Sequence, residues 1–199
     1  MTNGGRASRF SYPVFLDLDG LDVLVVGGGR IAARKAHGLV VAGARVHMVA
    51  TAIGVSVDRT PLASVCERPF AATDVDGMRL LVTATGDVDT DRRIATTARD
   101  AGVWTNAADQ PVDCEFILPA ITRTGRVTGA ISTDGASPAL AGYLRDRLAE
   151  ILTDDVGRIA DVLAAERAVV KARGDSTENI DWRPRIDELV AAAESGRGV

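Results

Sequence analysis

Four consecutive apolar residues, Val23-Leu24-Val25-Val26, run straight into Gly27-Gly28-Gly29 and then into Arg30-Ile31-Ala32. This junction limits the fold more than any other feature of the chain. A continuous β-branched and apolar run is a strand buried on both faces, and such strands belong to parallel sheets covered by helices. A helix is expected from Arg30 to Val41, rich in Ala, Arg and Leu, with Gly43 just past its end. Arg45 to Ala50 then reads as a second strand. The three elements make one βαβ unit, which is right-handed in nearly every known case.

Between strand and helix, residues 27 to 32 match G-x-G-x-x-A. In that setting each position has a physical task. Gly27 permits the tight turn, Gly29 lets the backbone approach a pyrophosphate, and Ala32 allows close packing of helix on sheet. The start of the helix offers unpaired N–H groups and a partial positive charge to an anion. Val23 to Ala32 is therefore expected to hold the pyrophosphate of a dinucleotide. The acidic residue that grips a ribose about twenty residues further on in many such folds is absent from Val46 to Thr51. That pattern leaves NAD and NADP both open.

The alternation continues with strands at Leu62 to Cys66, Arg79 to Ala84 and Val103 to Thr105, and a helix over Asp87 to Ala101. A short leading strand at Val14 to Leu16 is expected before the Asp19-Gly20 turn. After Asp109 the pattern changes. Phe116 to Leu118 and Arg126 to Thr133 read as strands around a polar turn at Thr124-Gly125, and Ser137-Pro138 opens a helix to Leu152. From Asp154 the chain reads as helical, broken near Gly174 to Asp181. The expected fold is α/β: a Rossmann-type doubly wound parallel sheet over residues 1–113, a small strand-and-helix segment over 114–152, and a helical C-terminal region over 153–199.

Composition narrows the function classes. Of 199 residues, 46% are hydrophobic and 25% charged, the balance of a globular chain. A net charge of −4 gives nucleic acid no basic surface, and no apolar run is long enough to span a bilayer. Met1 to Ser11 reads as a polar leader without the pattern of a secretion signal. Cys66 and Cys114 lack metal-ligand spacing and read as reduced cytosolic thiols. The two histidines, His37 and His47, fall on a helix and a strand, so no metal site is assigned.

Five ordered motifs resemble one family, the siroheme synthase N-terminal domain and precorrin-2 dehydrogenases. They are Val25 to Lys35, Thr83-Ala84-Thr85-Gly86-Asp87, Asn106-Ala107-Ala108-Asp109-Gln110-Pro111, Phe116-Ile117-Leu118-Pro119-Ala120, and Ser132 to Pro138. The likeness runs from about Tyr12 to Leu152. It implies oxidation of precorrin-2 to sirohydrochlorin with NAD as acceptor, in a cytoplasmic homodimer that exchanges its middle segment. Some members also insert ferrous iron, and some carry a fused methyltransferase half that has no counterpart in this sequence.

The resemblance and the chemistry together assign roles. Asp109 lies past the fifth strand, on the carboxyl side of the sheet, and is the candidate catalytic base. Gly27, Gly28, Gly29, Arg30, Ile31, Thr51, Ala52 and Thr85 are the cofactor-side residues, while Asp87 reads as a helix cap. Asn106 fixes the turn before Asp109 and is grouped with Ser132, Thr133 and Ser137 on the substrate side. Hydroxyls at a helix start suit the carboxylates of a tetrapyrrole, although Ser137 is equally an ordinary N-cap. Arg123, Arg126, Arg145 and Arg147 are candidate partners for the same carboxylates, and Asp113 and Glu115 read as solvated loop acids. Two rival readings stand beside this one, a bifunctional dehydrogenase and ferrochelatase, and a non-catalytic dinucleotide sensor. A short-chain dehydrogenase is excluded, because Tyr143 is followed four positions on by Arg147 rather than Lys.

Overall fold

The computed structural model describes residues 9–196, so most of the leader lies outside the described residues. The chain forms two compact units that divide between Ile117 and Leu118. In the first, β1 (Asp22–Val26), β2 (Arg45–Ala50), β3 (Ser64–Glu67), β4 (Leu80–Thr83) and β5 (Trp104–Ala107) form one sheet in the order β3-β2-β1-β4-β5. Every pairing is parallel.

The alternation of side chains along β1 explains why its run is apolar throughout. Val23 and Val25 face a core shared with Ala32, Ala36 and Leu39 of α1 (Arg30–Val41). Leu24 and Val26 face the opposite core, with Ile94 and Ala98 of α2 (Val88–Asp100). The side chains of Val23 to Val26 are all at most 2% exposed. Burial of each contributes about 1.5–3 kcal/mol. The sheet is thus doubly wound, with one helix on each face. The chain proceeds outward from β1 through β2 to β3, then returns to add β4 and β5 on the other side. A crevice opens at this reversal, above the carboxyl ends of β1 and β4.

At the opposite end of the sheet, Asp22 accepts hydrogen bonds from Arg45 Nε at 2.9 Å and pairs with His47 Nε2 at 2.8 Å. His47 Nδ1 lies 2.8 Å from Ser64 Oγ, so one polar ladder ties β1, β2 and β3. The Arg45 guanidinium, and after it His47, hold the Asp22 carboxyl below its usual range.

Two expected strands are corrected. Val14 to Leu16 is irregular and joins no sheet, with Val14, Phe15 and Leu16 exposed. β1 is flanked on both sides by β2 and β4, so a hairpin partner for it has no edge to occupy. The Asp19-Gly20 turn does form, with Gly20 at φ 68° and Leu21 N–H donating to Leu18 O at 3.0 Å. Phe116 to Leu118 also stays outside any sheet, and Phe116 instead packs on the α1-side core. The strand begins only past Pro119, which has no N–H to give a ladder.

In the second unit that strand, β6 (Ala120–Thr124), pairs antiparallel with β7 (Val127–Ile131) across the Gly125-Arg126 turn. Helix α3 (Pro138–Ile151) lies on the hairpin, so close that a Cβ on Gly129 would come within 2.4 Å of Leu148. α4 (Asp154–Ala172) and α5 (Arg183–Glu194) follow, and the break between them falls where the glycine and charged residues predict it. Arg185 joins the two helices, Nη2 to Glu166 Oε1 at 2.7 Å. No helix among the described residues is long and apolar enough to cross a membrane.

Candidate functional site

The glycine turn divides its labour in a way that the motif alone does not show. Gly27 has φ 128°, and a Cβ there would lie 2.3 Å from Ala84 O. A Cβ on Gly28 would lie 2.0 Å from Ala52 O, and Gly54 N–H donates to Gly28 O at 2.9 Å. These two glycines are bare because protein backbone presses on them, Gly27 from the β4 end and Gly28 from the loop after β2. Gly29 differs. A Cβ there would meet nothing within 4 Å, so its bare face looks onto open space at the start of α1. That is the cradle an approaching pyrophosphate requires, and these residues fit a dinucleotide. Ala32 is fully buried against the sheet, as expected.

A cleft of about 320 Å³ opens from this cradle, lined by Gly29, Arg30, Ile31, Thr85, Asp91 and Asp109 among others. The structure therefore brings the glycine turn, the β4 loop and the candidate base into one cavity. Thr51 and Ala52, exposed at the end of β2, adjoin the turn through the Gly28 contact. A second cleft of about 330 Å³ lies between α1 and the 56–62 loop, with Arg30, Arg34 and His37 on its wall, and Asp109 does not reach it.

Asp109 is exposed and has φ 60°, in the left-handed region that costs most residues energy but that Asp and Asn tolerate. Its turn is fixed from beneath. Asn106, 5% exposed, accepts from Lys35 Nζ at 2.9 Å and donates to Phe116 O at 2.9 Å. The amide of Asn106 is thus committed to the protein on both sides, as a clamp between α1, β5 and the returning chain. Burial pushes the Lys35 ammonium below its usual pKa, with the Arg34 charge acting the same way and the Asp109 carboxylate opposing it. Cys114 is buried, accepts from Ala107 N–H at 3.2 Å, and has its thiol pKa raised by burial. Glu115 accepts from Thr105 N–H at 3.1 Å, so it has a structural task.

Two of these residues escaped sequence reasoning. Lys35 stands in the quoted glycine-turn motif without a role, although a lysine on the face shared by Ala32 and Leu39 is a signal in itself. Asp91 reads as one more acidic residue in the first turn of α2, where acids are common. In the structure it is 3% exposed and accepts from Thr85 N–H at 3.0 Å and Thr85 Oγ1 at 2.9 Å. Asp87 is the α2 cap, as expected, accepting from Thr90 N–H at 2.8 Å.

The remaining candidates lie in the second unit. Ser137 Oγ caps α3, accepting from Leu140 N–H at 3.2 Å. Thr133 Oγ1 accepts from Ser137 N–H at 3.1 Å, and Ser132 Oγ accepts from Asp134 N–H at 3.1 Å. Of the four arginines, Arg126, Arg145 and Arg147 pair with Asp161, Asp146 and Glu150. Among the described residues, Arg123 has no such partner.

Comparison with known proteins agrees with this geometry. The family model described as "Putative NAD(P)-binding" matches residues 14–120. The siroheme synthase of Nitrosomonas europaea is 36% identical over 84% of this chain and 36% of its own length. That of Methylococcus capsulatus is 40% identical over 80% of this chain and 34% of its own length. The chain thus spans about a third of the length of these relatives. A solved structure of SirC, precorrin-2 dehydrogenase, matches with a TM-score of 0.68 and 27% identity, covering 91% of this chain and 88% of that one. A dinucleotide cradle, an N-x-x-D-x-P loop beside it and these likenesses converge: the chain belongs to the NAD(P)-binding family of siroheme synthase N-terminal domains and precorrin-2 dehydrogenases.

Proposed function

We propose that this chain is a cytoplasmic enzyme of siroheme biosynthesis that oxidises precorrin-2 to sirohydrochlorin with NAD. The observation that carries this reading is that Asp109 shares one cleft with the glycine turn. Removal of two hydrogens as hydride and proton requires an acceptor for each, and NAD, when bound, supplies the hydride acceptor. Gly29, Arg30 and Ile31 would hold its pyrophosphate at the start of α1, and Thr51, Ala52 and Thr85 would hold the rest of the dinucleotide. The Asp109 carboxylate receives the proton. Lys35 and Asn106 keep the β5 loop in place, so that the base is positioned before substrate arrives. Ser132 and Thr133, with Arg123, are assigned to the substrate carboxylates.

Anaerobic mixing with precorrin-2 and NAD tests the reading, with NADH absorbance followed alongside the chlorin spectrum. Replacing Asp109 by Asn is expected to lower turnover about 10²–10⁴-fold at saturating NAD. Cofactor binding without turnover by the unaltered chain would leave a dinucleotide sensor. A spectral change that depends on added ferrous ion would extend the activity to metal insertion.

A further inference from the structure

We propose that Asp91 is a cofactor-binding residue whose buried carboxylate makes the cleft prefer the oxidised, cationic nicotinamide to the reduced, neutral one. This rests on the dinucleotide reading above. All three donors that reach Asp91 converge on a single oxygen, Oδ1: Thr83 Oγ1, Thr85 N–H at 3.0 Å and Thr85 Oγ1 at 2.9 Å. Among the described residues, Oδ2 has no donor and no cationic side chain pairs with the group. No sealed side-chain polar atom there lacks a partner, so Oδ2 is reached from the cleft that Asp91 lines.

The charge is what requires explanation. An asparagine oxygen would accept the same three hydrogen bonds without the penalty of burying an anion that lacks a counter-ion. The lining of the cleft carries groups of both signs. The start of α1 and Arg30 draw an anion. Asp91 and Asp109 present two carboxylates, which repel a phosphate and attract a cation. A dinucleotide with its pyrophosphate at the start of α1 and its nicotinamide beside the two acids would satisfy both. The oxidised ring carries a positive charge and the reduced ring none, so Asp91 favours the form that an oxidising enzyme must bind first.

Calorimetric titration of the full chain with NAD⁺, NADH and ADP-ribose tests this. The wild-type chain is expected to bind NAD⁺ more tightly than NADH. Asp91→Asn is expected to weaken NAD⁺ about tenfold, with NADH and ADP-ribose each within about twofold of wild type. Equal losses for all three ligands would make Asp91 a purely structural support and overturn the proposal. So would wild-type protein that binds NAD⁺ and NADH alike, an outcome that is informative even if the variant does not fold. ADP-ribose binding without discrimination between the two redox forms would remove only the role of Asp91. Failure of all three to bind wild type would remove the dinucleotide reading with it.

Discussion

Asp109 illustrates how backbone conformation restricts the choice of test. At φ 60° only Asp, Asn and Gly are comfortable, so Asn removes the charge while keeping the turn, whereas Ala adds backbone strain to the chemical change. Lys35 offers a second residue-scale prediction through its lowered pKa. The unfolded chain holds that proton more firmly than the folded one. Protonation therefore costs stability in full below the depressed folded pKa, and the cost disappears as pH rises towards the ordinary value of 10.5. Urea unfolding of wild type and Lys35→Met at about pH 7 and about pH 10 should show the difference moving in favour of wild type at the higher pH. A difference independent of pH would mean that the buried ammonium carries no such penalty.

At the scale of elements, the three glycines should separate into two phenotypes. Gly27→Ala forces a Cβ against Ala84 O at a φ that side chains avoid, and should cost on the order of 2–4 kcal/mol in chemical unfolding. Gly29→Ala has room for its methyl group and an extended φ of −87°, so its melting temperature should match wild type. Its loss should appear in dinucleotide affinity alone. Unchanged affinity in Gly29→Ala would remove the cradle from its assigned place. The sequence made the sheet legible because each of Val23 to Val26 meets an apolar core, so periodicity and burial agree. It misled at Val14 to Leu16 and Phe116 to Leu118, where apolar runs look like strands but pair with no strand. Local pattern reports apolar content and not whether a partner is available. Asp109 was legible because its motif is contiguous. Asp91 was not, because its meaning depends on Thr83 and Thr85 meeting it across a loop.

For the whole molecule, the second unit leaves Leu140, Tyr143, Leu144 and Ile151 of α3 exposed, at spacings that place them along one stripe of the helix. The family resemblance implies a homodimer, and we propose a second copy of the chain as the occupant, a two-fold pairing that would bury the same stripe on both copies. Sedimentation should give a dimer for wild type and a monomer for Leu144→Asp, with the helical content of each alike. A wild-type monomer at micromolar concentration would place the exposed stripe against some other partner.

The Asn106 side chain grips both ends of the segment that carries Asp109, at its own position and at Phe116. The same two ends are tied by Glu115 N–H, which donates to Thr105 O at 2.8 Å, so the segment is closed at its base and opens as a unit. In heavy water, the amides of Ala107, Asp113 and Cys114, each bonded within this segment or to its ends, should therefore exchange together at one rate set by the opening of the clamp. The base would then be held in a region that is either wholly closed or wholly open.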